Sequence, residues 1–409
     1  MRSRSEQIPV WVSVFLMATA SAFVMFGYEF VRSSANTLVK ERYGSLGMAW
    51  SLAVMPFSLL SFLALYNYGL SRIGAKRTLI ASYAVSALLI VISLLTLDSW
   101  GVLLIFMVRE AYIVILVEQF WSFINSVANS EQSRRWNGPI IGVSSLGSIF
   151  GAWVLSISVG YFGTPMMIFL GCFTLIPAAL ITILAYRCSA GHDERLQVTS
   201  QQEKTPLGLG ELWNSPLLKI IFIMVVLSQI LATGLELDFQ KSLQEYYPTR
   251  DEQTARSGQI FTIINSAACV LQFLIVPLLM HRLPQWILHL ILPAFNIIMC
   301  IQAYVNRDGQ GVLWSYICFK SLDYSLFRAA KELLYVPLDF NVRFRAKEFI
   351  DVFGYRVSKG VTSAVIAVFH GNLIGQSITL ISIGAAGLWL LCIPFLRRTQ
   401  SVEPTIDSK

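Results

Sequence analysis

The chain has little charge and less histidine. Asp, Glu, Lys and Arg make up 13% of its 409 residues, hydrophobic residues make up 55%, and the mean hydropathy is +0.61. That excludes an ordinary soluble domain. The four histidines, His192, His281, His289 and His370, are isolated from one another. The six cysteines, Cys172, Cys188, Cys269, Cys300, Cys318 and Cys392, form no CxxC pair and no paired spacing, which argues against a disulfide framework and against a metal site. With no HExxH, no Gly-rich P-loop and no Ser-His-Asp set, neither an enzyme nor a pump driven by its own ATP hydrolysis is expected, and no cofactor is called for. A net charge of +7 invites a nucleic-acid reading, but Lys and Arg are spread over many short loops without a stripe or a motif, so no nucleic-acid partner is expected.

What the chain does have is long apolar runs. A membrane span takes about 20 apolar residues, and runs of that size fall near 8–38, 48–70, 78–97, 100–128, 138–162 and 165–186, then near 216–242, 257–280, 285–305, 311–338, 346–370 and 373–396. The expectation is an all-α integral membrane protein of about twelve helices. Residues 1–186 would form one six-helix bundle, 187–215 a polar linker, 216–398 a second bundle and 399–409 a tail. The run from Ile8, preceded by Arg2 and Arg4, has no small-residue cleavage pattern and is read as the first span. Basic residues alternate between connectors: Arg72, Lys76 and Arg77, then Arg134 and Arg135, Arg187 and Arg195, Arg282, Arg343 and Arg345, and Arg397 and Arg398. This alternation predicts cytoplasmic termini.

The halves echo one another at a spacing of roughly 210 residues, Gly27-Tyr28-Glu29 with Gly234-Leu235-Glu236 and Arg134-Arg135 with Arg343 to Lys347. Such duplication characterises transporters that bind substrate in a central cavity. The connector Gly69 to Arg77 resembles the Gly-rich basic signature of the major facilitator superfamily, with Ser71 where an acidic residue is usual.

Charge inside a span costs roughly 2.5–3.5 kcal/mol per group at the helix centre, so it persists where it faces a cavity, a partner or a substrate. Lys331, Glu332, Arg343, Arg345, Lys347, Asp351, Arg356 and Lys359 crowd two otherwise apolar helices. Arg or Lys aimed at phosphate is the expected chemistry of a polyanionic ligand, although Lys347 and Asp351 are also spaced as a simple i,i+4 ion pair. Glu110, Glu118 and Asn125 share nearly one face of the fourth span. Glu110 or Glu118 could couple transport to a cation or gate it, or Glu110 could pair with Arg109. Glu236, Asp238 and Lys241 in the seventh span match Glu29, Arg32 and the polar run Ser33 to Thr37 in the first, either as a site or as groups reaching for the outer interface.

KELLYVPLDFNVRFRAKEFIDVFGYRVSKG, Lys331 to Gly360, resembles the tenth and eleventh helices of the nucleotide transporter family of plastids and obligate intracellular bacteria, the ATP/ADP translocases. GLELDFQKSLQEYYPT, from Gly234, resembles that family's seventh helix, and FWSFINSVANSEQSRRW, from Phe120, the end of its fourth. The resemblance implies a major facilitator-like fold and exchange of ATP for ADP or import of other nucleotides; a multi-pass, monomeric protein of a bacterial inner membrane is expected. Carried over residue by residue, it nominates Arg32, Asn125, Glu236, Lys241, Lys331, Lys347, Asp351, Arg356 and Lys359 as substrate-binding. The family's first helix usually reads Arg-Asp-x-Lys-Asp, whereas Arg32-Ser33-Ser34-Ala35-Asn36 keeps only the arginine, which leaves room for another substrate. Two other readings fit the same residues: a facilitator for another solute, driven by protons through Glu110 or Glu118, and a receptor that has lost the exchange site.

Overall fold

A backbone in hydrocarbon must satisfy every N–H and C=O within its own segment, and the apolar runs fold accordingly as helices. The computed structural model describes residues 9–189, 209–306, 309–338, 342, 346–347, 349–369 and 375–402, and no strand occurs among them. Most of the predicted tail, most of the predicted linker, and Arg343, Arg345, His192 and His370 lie outside the described residues.

The first helix, α1 (Val10–Ile73), is 64 residues long and breaks at Gly44, whose φ of 67° is a left-handed conformation open to glycine. Then come α2 (Ala75–Leu95), α3 (Gly101–Val127), α4 (Ser130–Phe162), α5 (Thr164–Phe173) and α6 (Leu175–Cys188). The start of α4 is fixed by a reciprocal cap: Asn129 Oδ1 accepts from the Gln132 N–H at 2.8 Å, and Gln132 Oε1 accepts from the Asn129 N–H at 3.0 Å. The chain continues through α7 (Leu209–Asn214), α8 (Pro216–Tyr246) and α9 (Arg250–Val270), which runs through a π-helical stretch, Leu271–Ile275, into α10 (Val276–Arg282). After α11 (Gln285–Asn306), α12 (Gly309–Leu322) passes through a second π-helical stretch, Asp323–Phe327, into α13 (Arg328–Leu334). A third, Ile350–Val357, leads into α14 (Ser358–Phe369), and α15 (Gly375–Val402) follows.

Eight helices among the described residues are long and apolar enough to cross a membrane, fewer than the twelve runs read from the sequence. The difference has physical causes. One of the eight is the whole of α1, long enough for two crossings. Arg109, Glu110 and Glu118 lower the hydropathy of α3, and π-helical turns divide the charged helices near the C-terminus.

The chain divides into two compact units. One comprises Met1–Gly44, Phe57–Lys204 and Tyr247–Asn265; the other comprises Ser45–Pro56, Thr205–Tyr246 and Ser266–Lys409. In the first, Phe30, Leu155, Val159 and Met167 form a buried cluster. In the second, α8 packs on α15 so closely that a side chain at Gly234 would collide with Ser382. Phe239 stacks on Tyr316 with ring centroids 4.3 Å apart, and Phe327 meets the edge of Trp389. There α14 also lies against residues 45–56: Ser363 Oγ donates to the Ala49 carbonyl at 2.8 Å, and a Cβ on Gly360 would come within 2.6 Å of Pro56.

Candidate functional site

In the second unit, Lys320, Asp323, Tyr324, Arg328 and Lys331 recur at three- and four-residue steps, which aligns them as one stripe along α12, the π-helical stretch and α13. A π turn accommodates an extra residue and advances the helix phase, and such turns are frequent at functional sites. Here two of them carry charged residues, Asp323 in one and Asp351 with Arg356 in the other.

Three lysines nominated from the sequence are seated on carboxylates. Lys359 Nζ lies 2.9 Å from Glu236 Oε2, Lys331 Nζ 3.0 Å from Asp351 Oδ1, and Lys347 Nζ 2.8 Å from Glu332 Oε2. The i,i+4 partnership of Lys347 with Asp351 is replaced by pairs that cross between helices, Asp351 meeting Lys331 and Lys347 meeting Glu332. The pairs are joined by further charges. Lys320 interacts with Glu236 and Asp323, and Arg328 with Asp323, Tyr355 and Asp351, so the chain of interacting groups runs unbroken from Lys359 to Lys331. Aromatic rings line it: Lys331 Nζ sits 4.5 Å from the Tyr355 ring centroid, and Arg328 Cζ 4.9 Å from that of Tyr324. Arg328 is deep among the helices yet solvent-accessible, and Lys359, Arg356 and Lys347 are part-exposed. Among the described residues the stripe and its partners hold six cations, Lys320, Arg328, Lys331, Lys347, Arg356 and Lys359. They face four carboxylates, Glu236, Asp323, Glu332 and Asp351. The arrangement can exchange a carboxylate for another anion without leaving a bare charge.

Lys241 stands apart from this set, at the exposed end of α8, paired with Glu245 at 3.6 Å. Lys320, Asp323 and Arg328 were not nominated from the sequence. Their signal was present, three charges in the apolar run that precedes Lys331, but charge alone does not give helix phase.

The first unit holds the other nominated residues in a different setting. Arg32 is buried, ion-paired with Glu29, stacked 3.3 Å from the Phe261 ring centroid and 5.3 Å from that of Tyr28. Glu29 Oε1 also accepts from Asn265 Nδ2 at 3.0 Å. Arg109, 1% exposed, donates to the Arg32 carbonyl at 3.0 Å and to Asn36 Oδ1, and lies 3.6 Å from Glu110. Asn125 and Glu118 are exposed on α3, and Glu118 lies near Tyr66. Residues 250–265 of α9 join this unit once per turn: Asp251 Oδ1 accepts from the Thr164 N–H and hydroxyl at 2.8 and 2.7 Å, Ser257 Oγ bonds Ser33 Oγ at 3.1 Å, and Arg250 reaches Glu41 at 3.4 Å.

The sequence profile described as TLC ATP/ADP transporter matches residues 312–399, which include the stripe from Lys320 to Lys331 and its partners as far as Lys359, but not Glu236. ADP,ATP carrier protein 1 of Rickettsia bellii is 23% identical over 296 residues, 61% of this chain and 57% of the relative. Its counterpart in Rickettsia prowazekii is 21% identical over 290 residues. The match thus spans little more than half the length of these relatives. Among solved structures, a variant of the nucleoside transporter NupG superposes with a TM-score of 0.72 at 14% identity, covering 94% of this chain and 99% of that one. An auto-inhibited peptide transporter of the POT family gives 0.71 at 10% identity, covering 97% and 98%. At these identities the likeness is one of fold. The sequence likeness to ATP/ADP-type transporters includes the charged helices, and the chain shares a major facilitator-like fold with these solved transporters.

Proposed function

We propose that this chain is a secondary transporter of nucleotides, working by alternating access and recognising its substrate through phosphate. The observation that carries this reading is the excess of cations over carboxylates on the accessible stripe from Lys320 to Lys359. In this conformation Glu236, Asp351 and Glu332 neutralise Lys359, Lys331 and Lys347. A phosphate group then acts by substitution: its oxygens take over Lys359, Lys331, Lys347 and Arg356, and Glu236 and Asp351 are released as the gating groups. Competition with fixed carboxylates suits a carrier, because a substrate held by unpaired lysines would leave too slowly.

Arg32 is the one residue kept from the family's first-helix motif, and its burial against Glu29 and Phe261 supports a structural part for it; this chain's substrate contacts then rest more heavily on α8, α13 and α14. Asn125 and Lys241 would meet substrate only at the ends of its path. In the same reading the protein crosses the bacterial inner membrane about twelve times as two six-helix bundles, 1–186 and 216–398, joined by residues 187–215, with cytoplasmic termini, as a monomer and a carrier rather than an enzyme. Proteoliposomes holding the purified protein and unlabelled ADP should take up labelled ATP saturably. Absence of saturable uptake or exchange across a panel of ATP, ADP, GTP and CTP would refute the proposal.

A further inference from the structure

At one end of their spans, α11 and α15 flank a groove of about 670 Å³. Its walls follow from helix spacing. Trp286 and Leu290 stand one turn apart on α11, while Leu390, Ile393, Pro394 and Arg397 fall at i, i+3, i+4 and i+7 on α15, so each helix gives the groove one stripe. Both helices are long and apolar enough to cross a membrane, over Gln285–Val305 and Ile378–Thr399. Trp286, Arg397 and Arg398 therefore sit at span ends, at the level of the membrane surface, and the aliphatic residues lie deeper. Arg397 and Arg398 are exposed, and among the described residues no Asp or Glu lines the groove. Arg397 Cζ lies 4.9 Å from the Trp286 ring centroid, a contact that joins the two helices and holds the guanidinium at the groove.

We infer that this groove binds one anionic phospholipid, its phosphate on Arg397 and Arg398 and an acyl chain along Leu290, Leu390, Ile393 and Pro394. Charge, shape and depth select that occupant together. Two cations with no lining carboxylate call for an anion, and the guanidinium fork matches the two free oxygens of a phosphodiester. The aliphatic walls offer no hydrogen bond to the ribose or base of a free nucleotide, whereas a hydrocarbon chain gains by burial against them. At the membrane surface a phospholipid presents phosphate and chain at once, and basic pockets between spanning helices are where such head groups bind. None of these residues belongs to the stripe from Lys320 to Lys359, so the site is independent of nucleotide recognition. A lipid held by both helices binds only while they are packed, and so it stabilises the second unit.

The test uses the purified full chain in a neutral detergent, titrated with dioleoyl-phosphatidylglycerol or with dioleoyl-phosphatidylcholine. Native mass spectrometry counts the lipid retained, and thermal melting on the same samples reports stabilisation. Phosphatidylglycerol should be retained as one tightly held molecule and raise the melting temperature; phosphatidylcholine should do neither. Arg397→Gln and Arg398→Gln should each weaken retention about fivefold, the worth of one basic residue at a membrane surface. Leu390→Trp, which fills the groove and leaves both arginines in place, should abolish retention. Equal retention of the two lipids, or undiminished retention in the double Arg397→Gln, Arg398→Gln variant, would overturn the site. Retention unaffected by Leu390→Trp would reduce it to attraction by surface charge, and displacement of the lipid by inorganic phosphate at matched ionic strength would make it a general anion site; either refutes the lipid assignment. A wild type that retains no phosphatidylglycerol would refute it as well.

Discussion

Both units bury arginine or lysine among apolar helices, and they treat it in opposite ways. Arg109 and Arg32 are enclosed with their partners, Asn36 and Glu29, in a network closed by Asn265 and Phe261. Lys331, Lys359 and Arg328 are also deep, but their stripe carries more cations than carboxylates and opens to solvent. A buried charge sealed in with its partners supports the fold; one that shares its partners and can be reached from water is available to a ligand. Residue type does not separate the cases, since arginines from both units lie in helices of similar apolarity.

Removing Arg109 should separate them most sharply. Arg109→Ala strips a guanidinium from a sealed site and leaves Asn36 and Glu110 without it, and breaking a buried charged network of this kind costs about 3–5 kcal/mol. Thermal melting of the purified protein should show a large loss of stability, with nucleotide protection intact in whatever fraction folds. Lys359→Ala should do the reverse. It removes a charged hydrogen bond worth about 1.5–3 kcal/mol, read as a ten- to hundredfold loss of ATP affinity, and adding Glu236→Gln should recover stability but not binding.

Asn265→Ala takes the amide donor from Glu29 and should cost about 1–2 kcal/mol of stability, measured by melting, with ATP affinity unchanged. Lys347→Ala should have the smallest effect. Lys347 and Glu332 are each about 40% exposed, a setting in which an ion pair is worth about 0–1 kcal/mol and is screened by salt. Its contribution to ATP binding should therefore vanish as ionic strength rises, and a salt-independent loss would place Lys347 deeper in the site than its exposure indicates.

Much of this was legible in the residues. The apolar runs gave the helices, because length and hydropathy are properties of a segment alone. The motif from Lys331 to Gly360 pointed to the charged helices, and the Arg109–Glu110 contact followed from adjacency. Pairing across helices was not legible. Lys331 finds Asp351 twenty positions away and Lys347 finds Glu332 fifteen positions away, each across helices, and no spacing rule encodes such partners. Asp323 and Arg328 escaped notice for the same reason: at sequence level they are two charges in an apolar run, and only the phase of the helix makes them neighbours of Lys331 and Tyr355. Arg32 was equally opaque, since its ring partner Phe261 and the Asn265 that holds Glu29 come from a helix more than two hundred residues away.

The central claim is that the excess positive charge of the second unit recognises phosphate. Thermal stabilisation of the purified protein by ATP, ADP, AMP and adenosine at equal saturation tests it most directly. Stabilisation should fall with each phosphate removed, be absent with adenosine, and disappear for ATP in a Lys359→Ala, Arg328→Ala double variant. Equal stabilisation by adenosine and ATP, or an undiminished ATP response in that variant, would contradict it.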